Sequence, residues 1–123
     1  MLKIILLKKR FANGQPLFQE REPGHEAYLI RSGYVSIWKD DGGRRVELAT
    51  RGPGEIIGEM ALIDNSPRSA SVTAKGDVEV EIITQKDLAG MMEQVPEPVT
   101  RILQQLLKRL RDTNELAAMN LDR

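Results

Sequence analysis

Glycine-marked turns punctuate the first part of this chain at short, regular intervals, and that punctuation limits the folds open to it. Asn13-Gly14, Pro23-Gly24, Ser32-Gly33, Asp40-Asp41-Gly42-Gly43, Arg51-Gly52-Pro53-Gly54 and Lys75-Gly76-Asp77 are each turn signals. Between them apolar residues alternate with polar ones. Val35 and Ile37 do so, then Val46 and Leu48, then Val78, Val80 and Ile82. Period two is the pattern of a half-buried strand. Strand segments separated by turn signals at roughly eight- to twelve-residue intervals predict an antiparallel sandwich or barrel. Residues 2–83 are therefore expected to be antiparallel β, with Ser32-Gly33 and Lys75-Gly76-Asp77 as breaks between strands.

The pattern then changes. Thr84 followed by Asp87 has the spacing of a capping box with the shorter acid, which predicts a short helix over 84–95. Pro96 and Pro98 interrupt, and Pro98 suits the first turn of a second helix, expected over 97–120. Along it Val99, Leu103, Leu106, Leu110, Thr113 and Ala117 form a heptad seam, and Ile102 and Leu107 widen the apolar face. One face can pack on the β domain while the seam meets a second copy of the chain.

Composition removes several functions. The 123 residues suit one domain, 1–123, and 18 basic residues balance 18 acidic ones, so no global field favours nucleic acid. The run Lys108-Arg109-Leu110-Arg111 reads as a solvated helix face. There is no cysteine, hence no disulfide, thiolate metal site or cysteine nucleophile, and a reducing cytoplasm fits. The single histidine, His25, follows Pro23-Gly24 as an exposed turn residue and cannot supply a site needing two imidazoles. No metal is expected. The apolar run Ile4–Leu7 is too short to be a signal-peptide core or to span a bilayer, so no membrane association is expected.

One stretch carries chemistry: Gly58-Glu59-Met60-Ala61-Leu62-Ile63-Asp64-Asn65-Ser66-Pro67-Arg68-Ser69. Gly58 permits close backbone approach, and Glu59 to Ile63 can form one helical turn whose N–H groups attract an anion. Arg68 offers a planar cationic fork for phosphate oxygens, and Glu59 an acceptor for a ribose hydroxyl. Pro67 holds Ser66 extended, so Arg68 is presented rather than folded into the preceding turn. The bland alternative for Glu59 and Arg68 is an ion pair with no ligand.

These residues together resemble the cyclic nucleotide-binding domain of the catabolite activator protein family. The resemblance rests on Tyr28-Leu29-Ile30 with Gly33 and Val35, on the approach Gly54-Glu55-Ile56-Ile57-Gly58-Glu59, and on Arg68-Ser69-Ala70. It implies a β-roll of jelly-roll type followed by a short helix and a long dimerisation helix. It also implies a ligand, cAMP in preference to cGMP, and no other cofactor. By position, Gly58 and the amides of Met60 and Ala61 would face the cyclic phosphate, Glu59 would accept the ribose 2′-OH, and Arg68 would pair with the exocyclic oxygens. Ser69 would add a hydroxyl, and Leu48, Ile57 and Ile37 would wall the pocket. Thr113 and Asn114 would read the base, one from each subunit of a homodimer, and Arg109 would approach the cassette acid. Arg21 stands where the family usually has glycine, so that turn is expected to differ. The family's N-terminal helix is missing, and the chain stops where its winged helix-turn-helix would begin, so DNA binding is not expected.

The chain thus reads as a cytoplasmic receptor module that passes a signal to a downstream protein the sequence does not name. A second reading is a dimeric interaction module that keeps the fold without the ligand. A third, a jelly-roll metalloenzyme, is disfavoured by the single histidine. No nucleophile with a base and an orienting group is visible, so no enzymatic activity is expected.

Overall fold

The computed structural model describes residues 4–121, except for the side chains of Arg111 and of 113–121. Six strands run antiparallel: β1 (Leu7–Phe11), β2 (Pro16–Phe18), β3 (Glu26–Asp41), β4 (Arg44–Arg51), β5 (Ile56–Ile57) and β6 (Ser71–Thr84). Their order is β1-β6-β3-β4, with β2 also on β6 and β5 also on β3. Two helices follow, α1 (Gln85–Met92) and α2 (Glu97–Leu121). The expected fold class, an antiparallel β-roll with C-terminal helices, is the one observed. The chain divides into two compact units, Met1–Leu88 and Ala89–Arg123.

Two of the expected breaks are instead bends inside long strands. β3 runs through Ser32-Gly33 and β6 through Lys75-Gly76-Asp77, because the irregularities face one another across the ladder. Ile30 pairs with Val80 and Ser32 with Glu79, then Tyr34 with Lys75. The strands bend together and the ladder survives. Gly33, at φ 84°, makes this possible, since a Cβ there would collide with the Asp77 carbonyl. The bulges also switch which parity faces inward. Tyr28 and Ile30 enter the core before them, Val35 after them, with Ile37 packed on its edge.

The core consists of Phe11, Leu17, Tyr28, Ile30, Val35, Ile57, Val72, Ala74, Val78 and Val80. Along β6 its members are the even residues, as period two requires. Buried polar groups in this sheet are satisfied: Thr73 Oγ1 accepts from Trp38 Nε1 at 2.9 Å and from Arg45 Nη2 at 2.5 Å. Trp38 lies under the Arg45 guanidinium, 4.3 Å from ring centroid to guanidinium carbon. His25 is exposed in the loop before β3.

The sheet ends where the first helix begins, and the local signal explains why. Thr84 N–H donates to Asp87 Oδ2 at 2.9 Å, and Asp87 N–H donates to Thr84 Oγ1 at 3.0 Å, a reciprocal capping box. At the start of α2 the Pro96 carbonyl accepts from Val99 and Thr100, while Arg101 and Glu97 pair at 2.7 Å one turn apart. Val99, Ile102, Leu103, Leu106 and Leu110 stand between 39% and 59% exposed along α2. Among the described residues no helix is long and apolar enough to cross a membrane.

Candidate functional site

The cassette lies between β5 and β6. After Ile57 enters the core, Gly58 turns the chain with φ 73° and ψ 23°, a left-handed conformation that a side chain would strain by about 1–2 kcal/mol. One turn of 3₁₀ helix follows, Glu59–Leu62. Its tight geometry alters one expectation. The Ala61 N–H already donates to the Gly58 carbonyl at 3.2 Å, so this amide is engaged within the turn. Ala61 itself is buried, Glu59 is exposed and Met60 is half-buried.

Arg68, the cation of the candidate site, is buried. It is 8% exposed, the one buried charged residue among the described residues. Its backbone is clamped by the turn after β2: Arg21 N–H donates to the Arg68 carbonyl at 2.8 Å, and Arg68 N–H donates to the Glu22 carbonyl at 2.9 Å. Arg21 holds φ 75° to do this. The residue differs from the family's usual glycine, but the backbone keeps a conformation that favours glycine.

The Arg68 side chain is held just as closely. Nη2 donates to the Glu26 carbonyl at 2.8 Å, and Nη1 makes a long contact of 3.4 Å to the Gly58 carbonyl. The guanidinium carbon sits 4.1 Å from the centroid of the Phe18 ring. Two glycines make the space. A Cβ at Gly24 would lie 2.7 Å from Nε, and one at Gly58 would lie 2.6 Å from Nη1. Gly24 has no left-handed φ, so its value here is room rather than backbone freedom.

No carboxylate pairs with this cation among the described residues, and no protein group accepts from its buried Nε. The ion pair between Glu59 and Arg68 considered from the sequence does not form. A buried guanidinium that lacks a counter-charge and keeps a donor in reserve is costly unless an anion completes it. A cyclic phosphate, with one negative charge and exocyclic oxygens, meets that need. The residues present therefore fit an anionic ligand.

The site has supports that sequence reasoning missed. Phe18 stacks on Tyr28 with centroids 6.0 Å apart, and Tyr28 meets Phe11 edge-on. Tyr28 donates its hydroxyl to Glu26 Oε1 at 2.8 Å. Burial pushes the phenol well above its ordinary range, and the Glu26 hydrogen bond adds to the effect, so it remains a donor. Gln85, the first residue of α1, donates through Nε2 to the Ala61 carbonyl at 2.8 Å and to Asn65 Oδ1 at 3.1 Å. The glycine of Pro23-Gly24 was the available signal for a close approach, although it read as a plain turn.

The remaining expected residues separate. Ser69 is exposed directly beside Arg68. Ile57 lies in the core, Ile37 packs against its edge, and Leu48 is 54% exposed at the point where β4 slips register against β3. Arg109 lies on α2. Thr113 and Asn114 lie on α2 as well, but their side chains fall outside the described residues. No group of three or more His, Cys, Asp or Glu that could hold a metal occurs among the described residues.

Comparison with known proteins places this geometry. The family described as cyclic nucleotide-binding domain matches residues 8–95. The cyclic AMP receptor protein of Thermus thermophilus is 32% identical over 108 residues, covering 87% of this chain and 50% of that protein. The chain thus spans about half the length of the curated relatives it first matches. Among solved structures, the halfsite-occupied form of the EAL enzyme Bd1971 superposes with a TM-score of 0.86 at 37% identity, covering 89% of this chain and 99% of that one. The cGMP-bound form of Bd1971 superposes at 0.70 and 35% identity, covering 94% of this chain and 31% of that one. With that family matching residues 8–95, well over half of its length, this chain belongs to the cyclic nucleotide-binding domain family.

Proposed function

We propose that this chain is a non-enzymatic cyclic nucleotide receptor module that prefers cAMP over cGMP and signals through its C-terminal helix. The observation that carries the reading is the buried Arg68 guanidinium, unpaired by any carboxylate and with Nε unaccepted. Relatives support the ligand class, since Bd1971 has a cAMP-bound and a cGMP-bound form. In this reading the exocyclic oxygens take Arg68, and the left-handed Gly58 and the Met60 amide approach the phosphate. Glu59, exposed at the start of the turn, accepts the ribose 2′-OH, and Ser69 adds a hydroxyl. Leu48, Ile57 and Ile37 line the apolar side. Charge-assisted bonds contribute about 1.5–3 kcal/mol each in such a setting.

The output is a population shift. The phosphate draws the cassette inward, and α2 closes over the base with Thr113 and Asn114, while Arg109 approaches Glu59. Gln85 supports this coupling, because it ties the cassette turn to the first residue of α1. The exposed heptad face of α2 supports a homodimer, in which each copy supplies a base-reading residue. The same exposed face is what a ligand-independent interaction module would present, and the experiment separates the two.

Calorimetric titration of the purified chain with cAMP and with cGMP tests the reading. Saturable heat for both is expected, with cAMP tighter, and Arg68→Ala is expected to weaken binding at least about a hundredfold through loss of two charge-assisted bonds. Absence of heat for both nucleotides would leave the interaction module standing instead.

A further inference from the structure

Arg68 does not orient itself. Its long side chain has several rotatable bonds, and its two carbonyl partners, Glu26 at 2.8 Å and Gly58 at 3.4 Å, restrain only the terminal nitrogens. One neighbour of the guanidinium is aromatic. That neighbour is the Phe18 ring at 4.1 Å, which is itself stacked on Tyr28 at 6.0 Å and an interplanar angle of 25°. Tyr28 is fixed in turn, edge-on to Phe11 at 6.4 Å and through its hydroxyl to Glu26. Phe11 and Tyr28 are 3% and 5% exposed, so the column is anchored in the core.

We infer that Phe18 is a positioning residue for the nucleotide site: its ring, backed by Tyr28 and Phe11, holds the Arg68 guanidinium in the orientation that leaves Nε for the phosphate. The inference rests on the cyclic nucleotide reading and adds to it a residue outside the cassette. Preorganisation is the physical reason it matters, since an arginine already locked in its binding geometry loses less freedom when the anion arrives. The cation–π attraction acts on a buried guanidinium, the setting where such pairs are strongest.

The test replaces Phe18 in the full chain with phenylalanines carrying one, two and three ring fluorines. Ring shape is nearly constant along this series while the negative potential of its face falls. The nucleotide used is cAMP, read by calorimetry, with the melting temperature without nucleotide measured in parallel. Affinity is expected to fall stepwise with fluorine number, by about five- to twentyfold across the series, while the melting temperature stays nearly level. Phe18→Tyr, which keeps the ring, is expected to retain affinity, whereas Phe18→Leu, which keeps an apolar volume, is expected to lose it. Equal affinity along the fluorinated series would overturn the inference, as would tighter binding, which would mean the stack competes with the ligand. If the wild-type chain binds but no Phe18 variant differs from it, only this inference fails. If the wild-type chain binds neither cAMP nor cGMP, the underlying reading fails with it.

Discussion

The cassette and the helix α2 are opposite kinds of structure. Around Arg68 nearly every group is restrained. Backbone bonds from Arg21 and to Glu22 hold the main chain, carbonyls and an aromatic ring hold the side chain, and two glycines leave room for it. Along α2 the apolar residues are 39–59% exposed, and Glu97–Arg101 is a solvent-exposed pair of small worth. The first region holds a buried cation that no carboxylate pairs with among the described residues. The second carries an exposed apolar stripe. A receptor needs both, because a ligand can shift only an equilibrium between states it binds differently, and the movable element must not already be locked.

Breaking the helical side should give the largest effect. Leu103→Glu with Leu110→Glu places two charges in the seam, each replacing a side chain whose burial contributes about 1.5–3 kcal/mol. Sedimentation should show a wild-type dimer and a doubly substituted monomer, with self-association weakened at least about a hundredfold. A wild-type chain that sediments as a monomer at every concentration would contradict the dimer.

The cassette side should yield next to Gly58→Ala. The left-handed φ costs about 1–2 kcal/mol with any side chain, and the new Cβ meets Arg68 Nη1. Chemical denaturation should show that loss of stability, and cAMP affinity should fall by more than about tenfold because the guanidinium is displaced. Unchanged affinity would separate Gly58 from Arg68. The smallest effect, and one of opposite sign, is expected from Arg21→Gly. Relief of the strained φ at 75° is partly offset by the freer unfolded chain, leaving a gain of about 0.5–1 kcal/mol in thermal unfolding. A loss of stability there would show that the arginine side chain does more than fill the turn.

The same contrast governs what the sequence made legible. α2 and the Thr84–Asp87 cap were readable because their interactions join residues three, four or seven apart, a spacing the chain displays directly. The β-roll was readable from alternation and turns, but Ser32-Gly33 and Lys75-Gly76-Asp77 looked like breaks. Only their pairing across the ladder makes them bends. In the cassette, Gly58 and Arg68 were singled out from residue type and from the family resemblance. Their supports were not, because Phe18 and Glu26 reach Arg68 through strand pairing and no local spacing connects them. Sequence predicted an Arg68 kept out of the preceding turn by Pro67 and carried no sign of how deeply it is buried. The structure buries it, because Gly24 and Gly58 open a slot and Phe18 supplies its floor.

In the proposed receptor, Arg68 Nε is a donor kept for a nucleotide phosphate. Nuclear magnetic resonance of the Nε–H group, assigned by its loss in Arg68→Lys, reads that atom directly. On titration with cAMP the resonance should move downfield in a saturable way and its exchange with water should slow, as expected when a charge-assisted hydrogen bond forms. A resonance that stays unshifted while cAMP saturates the protein would contradict the account.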